Sequence, residues 1–107
     1  MLFEKYLNTV DENAAIACGV SDALWEEPEL GFEEYKASSM LTGILRERGF
    51  EVQEGLAGMP TAFAATFGSG KPHFGILAEY DALAGFSQVG EIAQKCAIPG
   101  KNTAHGC

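Results

Sequence analysis

The run His73-Phe74-Gly75-Ile76-Leu77-Ala78 constrains the fold most. It is apolar almost throughout, without the alternation of a strand that has one wet face. A strand of this kind calls for cover on both faces, as in the middle of an α/β sheet. It is followed at once by Glu79-Tyr80-Asp81. In α/β proteins, functional groups gather just beyond the carboxyl ends of such strands. The run therefore predicts both a central strand and a place to look for chemistry.

The elements before it are read from their periods. Phe3, Tyr6, Val10, Ala14, Ala17, Val20 and Leu24 recur at steps of three and four, which predicts an amphipathic helix. Pro28 and the residue before it, Glu27, should end that helix. A second helix is expected to begin near Gly31–Phe32, with Glu33 and Glu34 in its first turn, where the dipole favours acids. Tyr35, Thr42 and Leu45 mark one of its faces. Arg46 and Arg48 sit in its last turn, and Gly49 suits the residue just past the end.

The pattern then switches to strands. Phe50–Val52 reads as a short alternating strand, Gly55–Pro60 as a loop and Thr61–Phe67 as a second strand. Gly68–Pro72 is a turn leading into the third. From Glu79 onward the chain reads as a long loop, with Val89–Cys96 compatible with a short helix. The order is helix, helix, strand, strand, strand, loop. A loop that long is uncommon unless it is functional. Two helices cover only part of a three-stranded sheet, so the third strand asks for further covering elements.

Charge narrows the function classes. Seven basic and fifteen acidic residues give a net charge of -8. That balance, with no basic patch, argues against a nucleic acid or an anionic membrane as partner. No apolar run approaches the roughly 18 residues a membrane span needs. No secretory signal is visible. Three widely spaced cysteines, Cys18, Cys96 and Cys107, suggest reduced thiols and a cytoplasmic setting rather than a disulfide framework.

Several patterns invite chemistry. Gly68-Ser69-Gly70-Lys71 suggests a phosphate loop, but Ala65 and Pro72 stand where that motif needs Gly and Ser or Thr. A hairpin turn is the better reading. Glu79 and Asp81, one residue apart, are either a metal- or ligand-orienting pair or two solvated acids at a strand end. His105 and Cys107 offer imidazole and thiolate, good ligands for zinc and related ions, yet a lone His-x-Cys is short of the three or four ligands a site uses. His73 fits a satisfied strand histidine, and Cys18 a small apolar residue.

Taken together these segments resemble one family of metal-dependent amidohydrolases. Trp25-x-x-Pro28-Glu29-x-x-x-Glu33-Glu34 resembles the opening motif of the family that includes aminoacylases and hippurate hydrolases. Pro60–Phe63 and Phe67–Pro72 look like its strand–turn–strand. Ile76–Gln88 looks like its p-aminobenzoyl-glutamate hydrolase branch. Ala104-His105-Gly106-Cys107 looks like the start of that branch's His-Gly-Cys-Gly-His-Asn motif.

The resemblance implies an α/β fold, the N-terminal part of a zinc-peptidase-like α/β/α catalytic domain. Residues 1–107 would be a partial domain ending inside the metal motif, without a dimerisation domain. It implies hydrolysis of the amide bond of N-acyl or N-aroyl amino acids by two divalent ions, zinc or manganese, in an oligomeric enzyme. Residue by residue, it marks Cys107 as a metal ligand and Asp81 as the catalytic-site aspartate that orients a ligand. Glu79 takes a second-tier place where related peptidases bind metal, and His105 is a supporting residue. The general base and the remaining ligands of the family have no match here, so the isolated chain is expected to be inactive. An alternative reading is a non-catalytic metal-binding or interaction module using His73, Cys96, His105 and Cys107.

Overall fold

The computed structural model describes residues 1–106. Its elements are helix α1 (Leu2–Glu26), helix α2 (Tyr35–Glu47), strands β1 (Glu51–Glu54) and β2 (Phe63–Thr66), and the two-residue strands β3 (Leu83–Ala84) and β4 (Thr103–Ala104). The fold is mixed α/β, with two helices followed by two small antiparallel strand pairs. It agrees in class with a partial α/β domain. Among the described residues no helix is long and apolar enough to cross a membrane.

Helix α1 forms where the period of three and four places it and stops one residue short of Glu27, whose N–H still bonds to Ala23 O at 3.1 Å. Pro28 cannot continue the ladder. The apolar stripe packs against little: none of the helix is buried, and Phe3, Tyr6 and Val10 are each at least 60% exposed.

Helix α2 starts later than its acids suggest. Leu30 forms a parallel bridge with Ala82, and Glu33 N–H closes a turn onto Leu30 O at 2.9 Å, with Phe32 in the left-handed region at φ 69°. That turn uses up Gly31–Glu33, so Glu33 and Glu34 stand before the first turn instead of in it, Glu34 as the capping position. The helix end follows expectation. Gly49, at φ 85°, donates to Arg46 O at 3.0 Å, and Phe50 N–H donates to Leu45 O at 3.0 Å. This is the paired closure that satisfies the Leu45 and Arg46 carbonyls of the last turn.

Strands β1 and β2 pair antiparallel, Glu51 opposite Thr66 and Glu54 opposite Phe63. Phe50 and Phe67, one step beyond the open end, close it with ring centroids 5.2 Å apart. Val52, Phe63 and Ala65 are the half-buried side of this hairpin. Helix α2 lies over it, burying Ala37, Ser38 and Thr42. Of the other two expected face residues, Leu45 is half-buried and Tyr35 is 60% exposed because the helix begins there, at the rim. Thr42 Oγ1 donates to Glu54 Oε1 at 3.3 Å, and Arg46 also bonds to Glu54. The bond from Arg46 holds the Glu54 carboxyl below its ordinary range.

The third strand does not form. Residues 73–78 carry no ladder, and Phe74, Ile76 and Leu77 are 89%, 96% and 96% exposed. A strand exists only through the neighbours it bonds to, and no described strand lies beside this run. Its apolar character is unchanged; what is missing among the described residues is a paired edge. Val89–Cys96 is likewise not helical. It is a loop closed by Val89 N–H to Cys96 O at 2.8 Å and by the Gln88 side chain, which donates to Val89 O and Gln94 O and accepts from Cys96 N–H. A side chain that satisfies three backbone groups competes directly with a helical ladder.

Candidate functional site

The segment after the apolar run is held from three sides. Ala82 N–H donates to Glu29 O at 2.7 Å, beside the Leu30–Ala82 bridge. Tyr80 OH donates to Thr61 O, and its ring lies 5.9 Å from that of Phe63. Thr61, itself buried, donates through Oγ1 to Glu34 Oε2 at 2.7 Å. Exposure alternates along the segment: Glu79 and Asp81 are exposed, Tyr80 is half-buried and Ala82 is buried. Both carboxylates therefore stand on the side away from the Tyr80 anchor. Asp81 lies over Gly31, with Oδ2 3.7 Å from where a Cβ there would sit.

The other half of the motif returns through the β3–β4 ladder. Leu83 pairs with Ala104, so Ala82 and His105 follow at one end of that ladder, next to Asp81 and Gly106. Gly85 N–H closes the intervening loop onto Asn102 O at 2.7 Å. His105 is half-buried, and its Nε2 is buried with no partner among the described residues. Gly106 lies under the Phe86 ring, where an added Cβ would stand 2.6 Å from Cζ. Cys107, the expected metal ligand, lies outside the described residues.

Two sequence-predicted residues, Asp81 and His105, thus share one end of a short ladder, with Glu79 just upstream. Among the described residues no three His, Cys, Asp or Glu side chains gather where they could hold a metal ion. The described residues alone do not make a metal centre. His73 and Cys96, two members of the alternative zinc set, are exposed and join no such group among the described residues.

Sequence reasoning missed Glu29, Glu34, Thr61 and Tyr80 as a connected set. Glu29 Oε1 and Oε2 accept from Lys36 and Ala37 N–H at 3.0 and 2.9 Å, capping α2 from outside the helix. Glu29 and Glu34 were visible as parts of the opening motif, but no local pattern assigns them these partners.

Burial pushes the Tyr80 phenol above its ordinary 10.0, and the Glu34 and Glu29 carboxylates add to this, while a hydrogen bond with Ser38 opposes it. The folded state therefore keeps the Tyr80 proton after the unfolded chain has lost it. Its contribution is complete below pH 10 and is lost as pH rises through the folded value. Lys36, raised by its bond to Glu27, acts in the same direction. Urea unfolding between pH 9 and 12 should show stability falling with pH, with a shallower fall in Tyr80→Phe.

No family model matches the chain. Comparison with curated proteins does find relatives. The chain is 44% identical over 89 residues to a subunit of p-aminobenzoyl-glutamate hydrolase from Escherichia coli, covering 82% of this chain and 18% of that protein. It is 32% identical over 108 residues to thermostable carboxypeptidase 2 of Saccharolobus solfataricus, covering 99% of the chain and 26% of that protein. It is 34% identical over 90 residues to the human Xaa-Arg dipeptidase, covering 71% and 20%. The chain belongs to the amidohydrolase/peptidase family of these proteins and corresponds to an N-terminal fragment of it, spanning between 18% and 26% of their length.

Proposed function

We propose that the protein to which this sequence belongs hydrolyses the amide bond of small N-acyl or N-aroyl amino acids, p-aminobenzoyl-glutamate-like or dipeptide-like. The observation that carries the reading is agreement among relatives: three proteins matched over most of this chain are named for cleaving such bonds. The β3–β4 pairing supports it, because it sets Asp81 and His105 at one ladder end. In this reading Asp81 orients a ligand at the site, Glu79 and His105 support it, and Cys107 is a ligand of divalent zinc or manganese. The working enzyme is oligomeric and cytoplasmic.

Alone, the 107-residue chain gathers too few donors among its described residues to hold such an ion. It should show no turnover of N-acetyl amino acids, dipeptides or p-aminobenzoyl-glutamate with added zinc or manganese. The natural gene product should hydrolyse at least one of them and lose that activity to a chelator. Asp81→Asn should lower its kcat/KM about 10–100-fold, the usual cost of losing a group that orients a metal site. An inert gene product would overturn the assignment; chelator-sensitive turnover by the isolated chain would overturn the expectation that it is inactive alone.

A further inference from the structure

We propose that Tyr80 is a positioning residue whose clasp on Thr61 aims the Asp81 carboxylate. The inference rests on the reading above, in which Asp81 serves a hydrolytic site. Three observations carry it. The Tyr80 hydroxyl donates to the Thr61 carbonyl, nineteen residues earlier in the chain. Thr61 is in turn fixed to the start of α2 through Glu34. Exposure alternates from Glu79 to Ala82, so seating Tyr80 inward turns its two acidic neighbours outward.

The segment needs such an anchor because the run before it, residues 73–78, is exposed and unpaired. On the far side it has the Ala82–Glu29 bond and the Leu30 bridge. Asp81 sits between these two attachments. With the Tyr80 attachment released, it would hang from one side only, and its carboxylate would leave its place over Gly31. The Phe63 ring beside Tyr80 supplies packing but no direction; a hydroxyl–carbonyl bond is directional. Removing the hydroxyl alone therefore separates aim from bulk.

The test uses nuclear magnetic resonance on the chain and its Tyr80→Phe variant. In the parent, three-bond couplings should show one Asp81 side-chain rotamer, and the Ala82 amide should exchange slowly. In Tyr80→Phe the couplings should average and Ala82 exchange should rise up to about tenfold, the size expected for one net hydrogen bond. Gly49→Ala is the control, since it destabilises α2 from its other end and should leave the Asp81 couplings alone. Should Tyr80→Phe not fold, Thr61→Val cuts the link to Glu34 while keeping the carbonyl, and should give a smaller averaging in the same direction. Parent-like couplings in a folded variant, or an Asp81 already averaged in the parent, overturn the proposal. The Asp81→Asn assay on the gene product bears on the hydrolytic reading alone, so the two can fail separately.

Discussion

Replacing Glu29 by Ala should cost about 1–2 kcal/mol of unfolding free energy, the range for removing a helix cap. The reason is geometric. The first N–H groups of a helix have no partner within it. In α2 the Lys36 and Ala37 N–H groups both point at one carboxylate, Oε1 at 3.0 Å and Oε2 at 2.9 Å. Glu34, the residue at the capping position, makes no side-chain cap bond of its own; its carboxylate is engaged by Thr61. Ala at 29 would leave the Lys36 N–H to water and the N–H of buried Ala37 without its partner, and would remove a negative charge from the positive end of the helix. Glu29→Gln should lose about half as much, since one oxygen remains to accept. The Glu29 carbonyl, which holds Ala82, is untouched by either change. Urea midpoints of the three proteins, with the slope of unfolding free energy against urea unchanged, check the ordering. Equal stability of Glu29→Ala and the parent would mean that this cap carries no weight.

Gly49→Val should cost about 2 kcal/mol, within the range for a residue forced into an unfavourable backbone region. Gly49 ends α2 at φ 85°, where a β-branched side chain is a steric outlier. The position cannot relax freely, because its N–H and that of Phe50 close the last turn onto Arg46 O and Leu45 O. A Cβ there would also touch Phe67 at 3.7 Å, an ordinary contact, so the penalty comes from the backbone and not from crowding. Gly49→Asn should cost less than Val, since Asn tolerates the left-handed region. Thermal and urea unfolding give the order. A Val variant as stable as Asn would place the strain elsewhere.

These two effects differ in how visible they are in the sequence. Gly49 follows two arginines at the end of a three-and-four period, and every part of that signal lies within one turn of the chain. The Glu29 cap has no such signature, since the residue it serves is seven or eight positions away across a turn that Phe32 makes at positive φ. The same division runs through the site. Glu79, Asp81 and His105 stand out as residue types at telling positions, and the resemblance of their motifs to an amidohydrolase family agrees with the relatives found. Their juxtaposition depends on a two-residue ladder between segments twenty residues apart, which nothing local encodes.

Local periods and end signals therefore settled α1, the C-terminal closure of α2 and the places of β1 and β2, but not their pairing: the hairpin turn expected at Gly68–Lys71 has no third strand to join, and β1 pairs with β2 across the loop that begins at Gly55. The apolar run 73–78 shows the limit of that logic. Its composition is that of a buried strand, yet strand formation is a property of a pair, and among the described residues no partner lies alongside. Where α2 begins, how Tyr80 reaches Thr61 and which side Asp81 faces were decided by contacts between distant parts of the chain. Those contacts are set by which backbone groups find a partner once the segments meet, and residue order alone carries no record of that choice.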